Sequence, residues 1–160
     1  MKRVAVFSDT HGRFTRLPAA LDKIEKAGGV EMVLHLGDYG ADAETIAERL
    51  KNVPFAAVRG NNDYFSNLPR KRIVQVGDAL LYMVHGDAYY NLGPLIREAK
   101  KERCAAALFG HTHEPLLQAD GELLIVNPGS LSLPRRGYKA SFALLEIDGA
   151  DVNVKMISLE

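Results

Sequence analysis

The sequence predicts an α/β fold built as a four-layer α-β-β-α sandwich, two mixed β-sheets packed together with helices outside. Three observations predict it. Strand-like apolar runs alternate with helical spacing up to residue 58, the βαβαβ order that makes a parallel sheet. From residue 72 onward, short apolar runs are joined through Gly77-Asp78, Ala119-Asp120-Gly121 and Asp148-Gly149, which read as hairpin turns. Five apolar runs end in loops of Asp, Asn, His and Gly, and the carboxyl edge of an open α/β sheet is where ligands bind. With 160 residues, 47% hydrophobic and 25% charged, the chain reads as one domain over 1–160 with a sizeable core.

Each element has its own signal. Residues 4–7 are a continuous apolar run, hence a buried strand. Residues 14–27 carry Leu17, Leu21 and Ile24 at helical spacing and stop at Gly28-Gly29, with Pro18 tolerated in the first turn. Residues 32–36 and 55–58 repeat the strand pattern around a short helix at 43–50 with a polar face. Residues 72–76 and 79–84 form a hairpin, 92–103 a helix and 105–109 a strand. Runs at 115–118 and 123–126, then 141–147 and 152–157, complete the second half as antiparallel pairs.

Bulk composition excludes several function classes. Lys plus Arg and Asp plus Glu both total 20, and no basic block stands out, so no stable complex with long nucleic acid is expected. Nothing approaches membrane-spanning length, and the apolar run after Met1-Lys2-Arg3 is too short for a signal peptide. Cys104 is the one cysteine, so no intrachain disulfide forms, which fits a reducing cytoplasm; its place between a helix end and an alanine-rich strand makes it inert.

The informative residues lie just past the strands. The first run ends in Asp9-Thr10-His11-Gly12, the second in Gly37-Asp38, and the third in Gly60-Asn61-Asn62-Asp63. Two later runs end in His85-Gly86-Asp87 and Gly110-His111-Thr112-His113. In an extended strand Asp9 and His11 would lie roughly 7 Å apart, too far to share one ion. The loop must therefore curl, which Gly12 permits, and Gly110 allows the same before His111 and His113. Taken singly, Gly-Asp is a turn or helix cap and Gly-Asn-Asn-Asp a turn. Five such loops in βαβ order point instead to one polynuclear metal site. His35 lies inside an apolar strand and reads as a satisfied core histidine, and Asn127-Pro128-Gly129-Ser130 either shapes the site floor or ends a strand.

Asp9-x-His11, Gly37-Asp38, Gly60-Asn61, His85 and Gly110-His111-x-His113 together resemble the motif series of the calcineurin-like metallophosphoesterases. The short chain, Ser8-Asp9-Thr10-His11-Gly12 and Asn127-Pro128-Gly129-Ser130 resemble its single-domain YfcE-type phosphodiesterases. The resemblance implies the metallophosphoesterase fold and two divalent metals. Asp9, His11 and His113 would hold one, Asn61, His85 and His111 the other, and Asp38 would bridge them. Asp38, Asn61 and His111 are also the expected catalytic residues. Mixed imidazole and carboxylate donors suit Mn, Fe, Zn or Ni better than Mg or Ca, and the resemblance favours Mn²⁺. Four metal charges less two carboxylates and a bridging hydroxide leave about one positive charge, matched to a phosphodiester monoanion.

Two departures refine the expectation. The wider family carries histidine after the motif asparagine, placed to protonate the leaving oxygen; here Asn62 stands there and is no acid near neutral pH. General acid help contributes about 10² to 10⁴ in rate, so diesters with good leaving groups are expected over alkyl monoesters. Asp63 next door is a partial substitute acid or, on the better reading, a cap of the turn. After Asp38 the chain reads Tyr39-Gly40-Ala41, without the family's usual Asp or His at the last of these places, which puts only outer support of the site in question. The expected function is a metal-dependent phosphodiesterase acting on a small diester; the alternatives are a noncatalytic scaffold of the same fold and a dinuclear amide hydrolase. With no capping insertion, specificity falls to short loops around Arg13, Tyr39, Tyr64, Tyr89 and Pro134-Arg135, and self-association is an expectation by analogy.

Overall fold

In the computed structural model, which describes residues 1–159, side-chain alternation along β1 (Lys2–Phe7) sets up the layers. Val4 and Val6 face a second sheet, and Ala5 and Phe7 face helices. Both faces are buried, which is why the run reads as continuous rather than alternating.

The chain continues through α1 (Leu17–Lys26), β2 (Met32–His35), α2 (Asp42–Arg49) and β3 (Phe55–Ala57). Next come β4 (Lys71–Val76), β5 (Ala79–Val84), α3 (Gly93–Lys101), β6 (Ala106–Leu108), β7 (Leu116–Asp120) and β8 (Leu123–Asn127). The last two strands are β9 (Ser141–Asp148) and β10 (Asp151–Ser158). One sheet has the order β10-β9-β1-β2-β3, the other β4-β5-β6-β8-β7. β1, β2 and β3 are parallel, as the βαβαβ reading requires. β4–β5, β7–β8 and β9–β10 are antiparallel hairpins, and β6 is parallel to both β5 and β8.

Val4, Val6, Leu34 and Leu36 of the first sheet pack on Leu81, Met83, Leu108 and Val126 of the second. α1 and α2 cover the outer face of the first sheet through Leu17, Ile24 and Ile46, where Phe7 stacks on Phe142 at 5.1 Å. α3 covers the second sheet with Leu95 and Ala99 against Tyr82, Ala107 and Ile125. The four-layer sandwich is thus realised, and burying such side chains stabilises by about 1.5–3 kcal/mol each.

Most element bounds differ from the sequence expectation by one to three residues, and two of the differences have a clear cause. The first helix begins at Leu17, not at residue 14, because Arg13 and Leu17 donate back to the Thr10 and Phe14 carbonyls in turns that close the preceding loop. The strand expected at 115–118 runs over Leu116–Asp120, and its turn is the two residues Gly121-Glu122, since Asp120 pairs with Leu123. The C-terminal hairpin, which the sequence assigns to neither sheet, joins the first, where β9 pairs with β1.

Candidate metal centre

The carboxyl ends of β1, β2, β3, β5 and β6 open on one edge of the sandwich, and their loops meet there. The chain holds them in costly shapes. Asp9, His11, Asp38, His111 and His113 have φ between 49° and 71°, a left-handed backbone that is disfavoured for residues bearing a Cβ. The curl attributed to glycine is therefore carried by the functional residues themselves, with Gly12 (φ 70°) joining them. Gly110 is absent from the left-handed set and acts by lacking a Cβ. A Cβ there would overlap Ser8 Oγ and lie 2.7 Å from Asp9 Oδ2, and one at Gly60 would overlap Asp38 Oδ1. The glycines preceding Asn61 and His111 are thus where one loop's backbone admits another loop's carboxylate.

Backbone and side-chain donors fix each group. Asp9 Oδ2 accepts from Ser8 Oγ at 2.6 Å and His111 N at 3.0 Å. Asp38 accepts from the Asn62 backbone N–H at 3.0 Å and from its side-chain amide at 2.7 Å. Asp63 caps the turn: its carboxylate accepts from the N–H groups of Asp38, Tyr39, Gly40 and Gly60 at 2.7–3.4 Å. Asn62 and Asp63 supply the support that the residues after Asp38 do not.

The histidines are oriented through their far nitrogens. His85 Nδ1 lies 2.7 Å from the Leu36 carbonyl and His113 Nδ1 2.6 Å from that of Leu133, so each donates there and turns Nε2 inward. His85 Nε2 then stands 3.4 Å from Asp38 Oδ1 and 3.8 Å from Asp9 Oδ1. His113 Nε2 stands 3.3 Å from Asp9 Oδ1, and His11 Nε2 3.6 Å from Asp38 Oδ2. At the rim, His111 Nδ1 and Asn61 Oδ1 lie 3.2 Å apart. All seven residues singled out in the sequence therefore meet at this edge.

The electrostatics call for a cation. Four buried side-chain polar atoms lack a hydrogen-bond partner among the described residues; three are Asp9 Oδ1, His11 Nε2 and His85 Nε2, all pointing inward. Orphaned buried polar atoms are rare in folded proteins. Asp9, His11, Asp38 and His113 each offer one ligand-type atom, all within 4.8 Å of one another. Burial pushes the Asp9 carboxyl up, but the facing His113 and His85 rings and the Ser8 hydroxyl more than reverse this, leaving it below the usual range. Burial lowers the His113 imidazole, and the Asp9 carboxylate outweighs that and raises it.

Residues 1–150 match the calcineurin-like phosphoesterase superfamily domain. The chain belongs to that family. The probable metallophosphoesterase MJ0623 of Methanocaldococcus jannaschii is 34% identical over 98% of this chain and 81% of its own length. The phosphodiesterase YfcE of Escherichia coli K12 is 29% identical, covering 92% of this chain and 89% of its own. A crystal structure from Streptococcus pneumoniae TIGR4, of a conserved uncharacterized protein described as a predicted phosphoesterase, superimposes with a TM-score of 0.78. It is 28% identical over 98% of this chain and 89% of its own. The chain is thus a member of a phosphoesterase family with a candidate metal-binding cluster and, among the described residues, no helix long and apolar enough to cross a membrane.

One supporting residue was invisible in the sequence, and several that it singled out have defined roles. Asp42, in the first turn of α2, accepts from Thr10 Oγ1 at 2.5 Å and Gly12 N at 2.8 Å, locking the Asp9–Gly12 loop. His35 is the satisfied core histidine expected: its Nδ1 accepts from Gly37 N at 3.1 Å and its Nε2 meets Thr10 Oγ1 at 2.8 Å. Burial lowers its pKa to about 4, so it stays neutral while bracing two site loops. Asn127 and Ser130 do shape the floor. Asn127 donates to the Gly110 carbonyl at 3.1 Å, and Ser130 Oγ to that of Asp9 at 2.8 Å. Tyr89 donates to Glu98 at 2.5 Å, bracing the loop after His85 on α3. Cys104 is buried and its thiol is pushed up to about 11, consistent with inertness.

Proposed function

We propose that this phosphoesterase is a dinuclear, divalent-metal-dependent phosphodiesterase acting on small diesters in the cytoplasm. The observation that carries the reading is the convergence of buried, partnerless carboxylate and imidazole atoms at the edge where the family's motifs meet. The donor chemistry fits a pair of cations. Asp9, His11 and His113 would hold one, Asn61, His85 and His111 the other, and Asp38 both; Mn²⁺ is the first choice, with Fe, Zn or Ni next. When bound, the pair supplies an acidified water as nucleophile and positive charge for the phosphoryl oxygens.

The chain's own groups orient and select. The Leu36 and Leu133 carbonyls aim His85 and His113, and the Asp63 cap holds Asp38 in its left-handed turn. Asn62 spends its amide on Asp38 and has no acidic proton to give the leaving oxygen. The reaction therefore favours esters whose alcohol departs as a stable anion.

Chelator-stripped protein restored with Mn²⁺ is expected to hydrolyse bis-p-nitrophenyl phosphate with kcat/KM about 10² or more above that for glycerol 2-phosphate, the size of one general-acid contribution. Equal turnover of the two esters would remove the diesterase assignment. Absence of turnover with each of Mn, Fe, Zn and Ni would favour the noncatalytic scaffold.

A further inference from the structure

Beside the metal centre lies a pocket that the chemistry at phosphorus does not use. Its volume is about 430 Å³, and Tyr39, Phe55, Tyr64, Phe65 and Leu68 line it together with Asn62. Four aromatic rings thus share one cavity in a chain only 8% aromatic. They are not satisfied by the core: Tyr39 is 45%, Phe55 46%, Tyr64 77% and Phe65 fully exposed. Exposed apolar patches of this kind mark binding surfaces.

The pocket is continuous with the centre at two points. The Tyr39 ring packs tilted against His11, 5.5 Å between centroids. Asn62, on the pocket wall, donates to Asp38, and Tyr64 Oη donates to Asn62 Oδ1 at 3.4 Å. A phosphoryl group at the centre would hold one of its ester substituents at the mouth of this cavity. Glu44 and Ser66 also border the pocket and Asp63 spends its carboxylate on backbone N–H groups, but most of the exposed wall is ring faces and aliphatic atoms, which favours a flat aromatic body held by stacking over a donor–acceptor code.

We infer that Tyr39, Phe55, Tyr64 and Phe65 form a subsite for an aromatic ester group, a phenyl ring or a nucleobase, on the phosphodiester substrate. The inference rests on the phosphodiesterase reading for the position of the phosphoryl group and adds the class of substituent. Stacking on such rings contributes about tenfold or more per base in affinity.

The test compares phenyl phosphate with methyl phosphate as ligands, in wild type and in Tyr64→Ala/Phe65→Ala. Binding is read from the NMR shifts of the tyrosine and phenylalanine rings with diamagnetic Zn²⁺ present, and separately from competition against bis-p-nitrophenyl phosphate hydrolysis with Mn²⁺. Phenyl phosphate is expected to bind at least about tenfold more tightly, shifting the Tyr64 and Phe65 rings, and the phenyl-to-methyl ratio to fall towards one in the double variant. Equal affinities in wild type, or a preference that survives in the double variant, would overturn the subsite. A dimer that dissociates in the double variant while wild type binds both monoesters equally would also overturn it, assigning the patch to self-association. Ring shifts that prefer phenyl phosphate in a protein without turnover would uphold the subsite and remove the phosphodiesterase reading alone.

Discussion

Asp38→Asn is expected to lower kcat/KM by at least about 10²–10³, the loss typical of removing one preorganised electrostatic group from an active site. Asparagine keeps the shape of the side chain and adopts the left-handed backbone at φ 58° more readily than alanine. Asn62 can still pair with it by turning its amide, so the variant isolates the charge. Metal-free wild type holds the Asp9 and Asp38 carboxylates around one buried imidazole, at 3.8 and 3.4 Å from His85 Nε2. Metal-free Asp38→Asn is therefore expected to unfold no lower than metal-free wild type, because a buried, cation-seeking carboxylate is a function-bearing cost. Mn²⁺ at a hundredfold excess over its Kd should stabilise wild type by about 2.7 kcal/mol, roughly 5–10 °C in Tm, and the variant by far less. Thermal scans with and without Mn²⁺ beside the hydrolysis rate check both halves. A variant that loses activity yet gains the same metal-dependent Tm would show that Asp38 is no ligand.

Gly110→Ala should also damage the site, although it removes no ligand side chain. The added Cβ would overlap Ser8 Oγ and press on Asp9 Oδ2, while Gly110 N donates to the His85 carbonyl at 2.7 Å and its carbonyl accepts from Asn127. The residue cannot retreat, so Ser8 and Asp9 must move. The expected cost is about 1–3 kcal/mol in stability, the range for overpacking a filled site, with a 10–100-fold drop in kcat/KM. Gly121→Ala is the control. Gly121 has φ 61° but nothing within 4 Å, so alanine there should cost about 1 kcal/mol of backbone strain and leave the rate alone. If Gly110→Ala behaved like Gly121→Ala, the close approach of the two loops would not be what Gly110 provides.

The parallel character of β1, β2 and β3 was legible because their βαβαβ connections are local. The position of β9 was not. Its inward residues, Ala143, Leu145 and Ile147, alternate with Phe142 and Leu144, and burial on both faces fits a strand in either sheet. Only the pairing of Val4 with Leu145, across most of the chain, decides it. The site was legible in its ligand-type residues, since Asp, His and Asn at strand ends are costly to explain otherwise. Its outer support was only partly so. Asp42 and Ser8 look like ordinary helix-start and loop residues, and the Leu36 and Leu133 carbonyls leave no mark in a sequence at all. Asp63 was readable as a cap, yet nothing in Gly60-Asn61-Asn62-Asp63 says that the turn it caps is mainly the one bearing Asp38.

Seven side chains at the sheet edge are proposed to hold two divalent cations. Anomalous diffraction from crystals grown with Mn²⁺ tests that most directly. Two peaks per chain are expected, one ringed by Asp9, His11 and His113, the other by Asn61, His85 and His111, with Asp38 touching both. A single peak, or ordered Mn²⁺ elsewhere with this edge empty, would contradict that assignment.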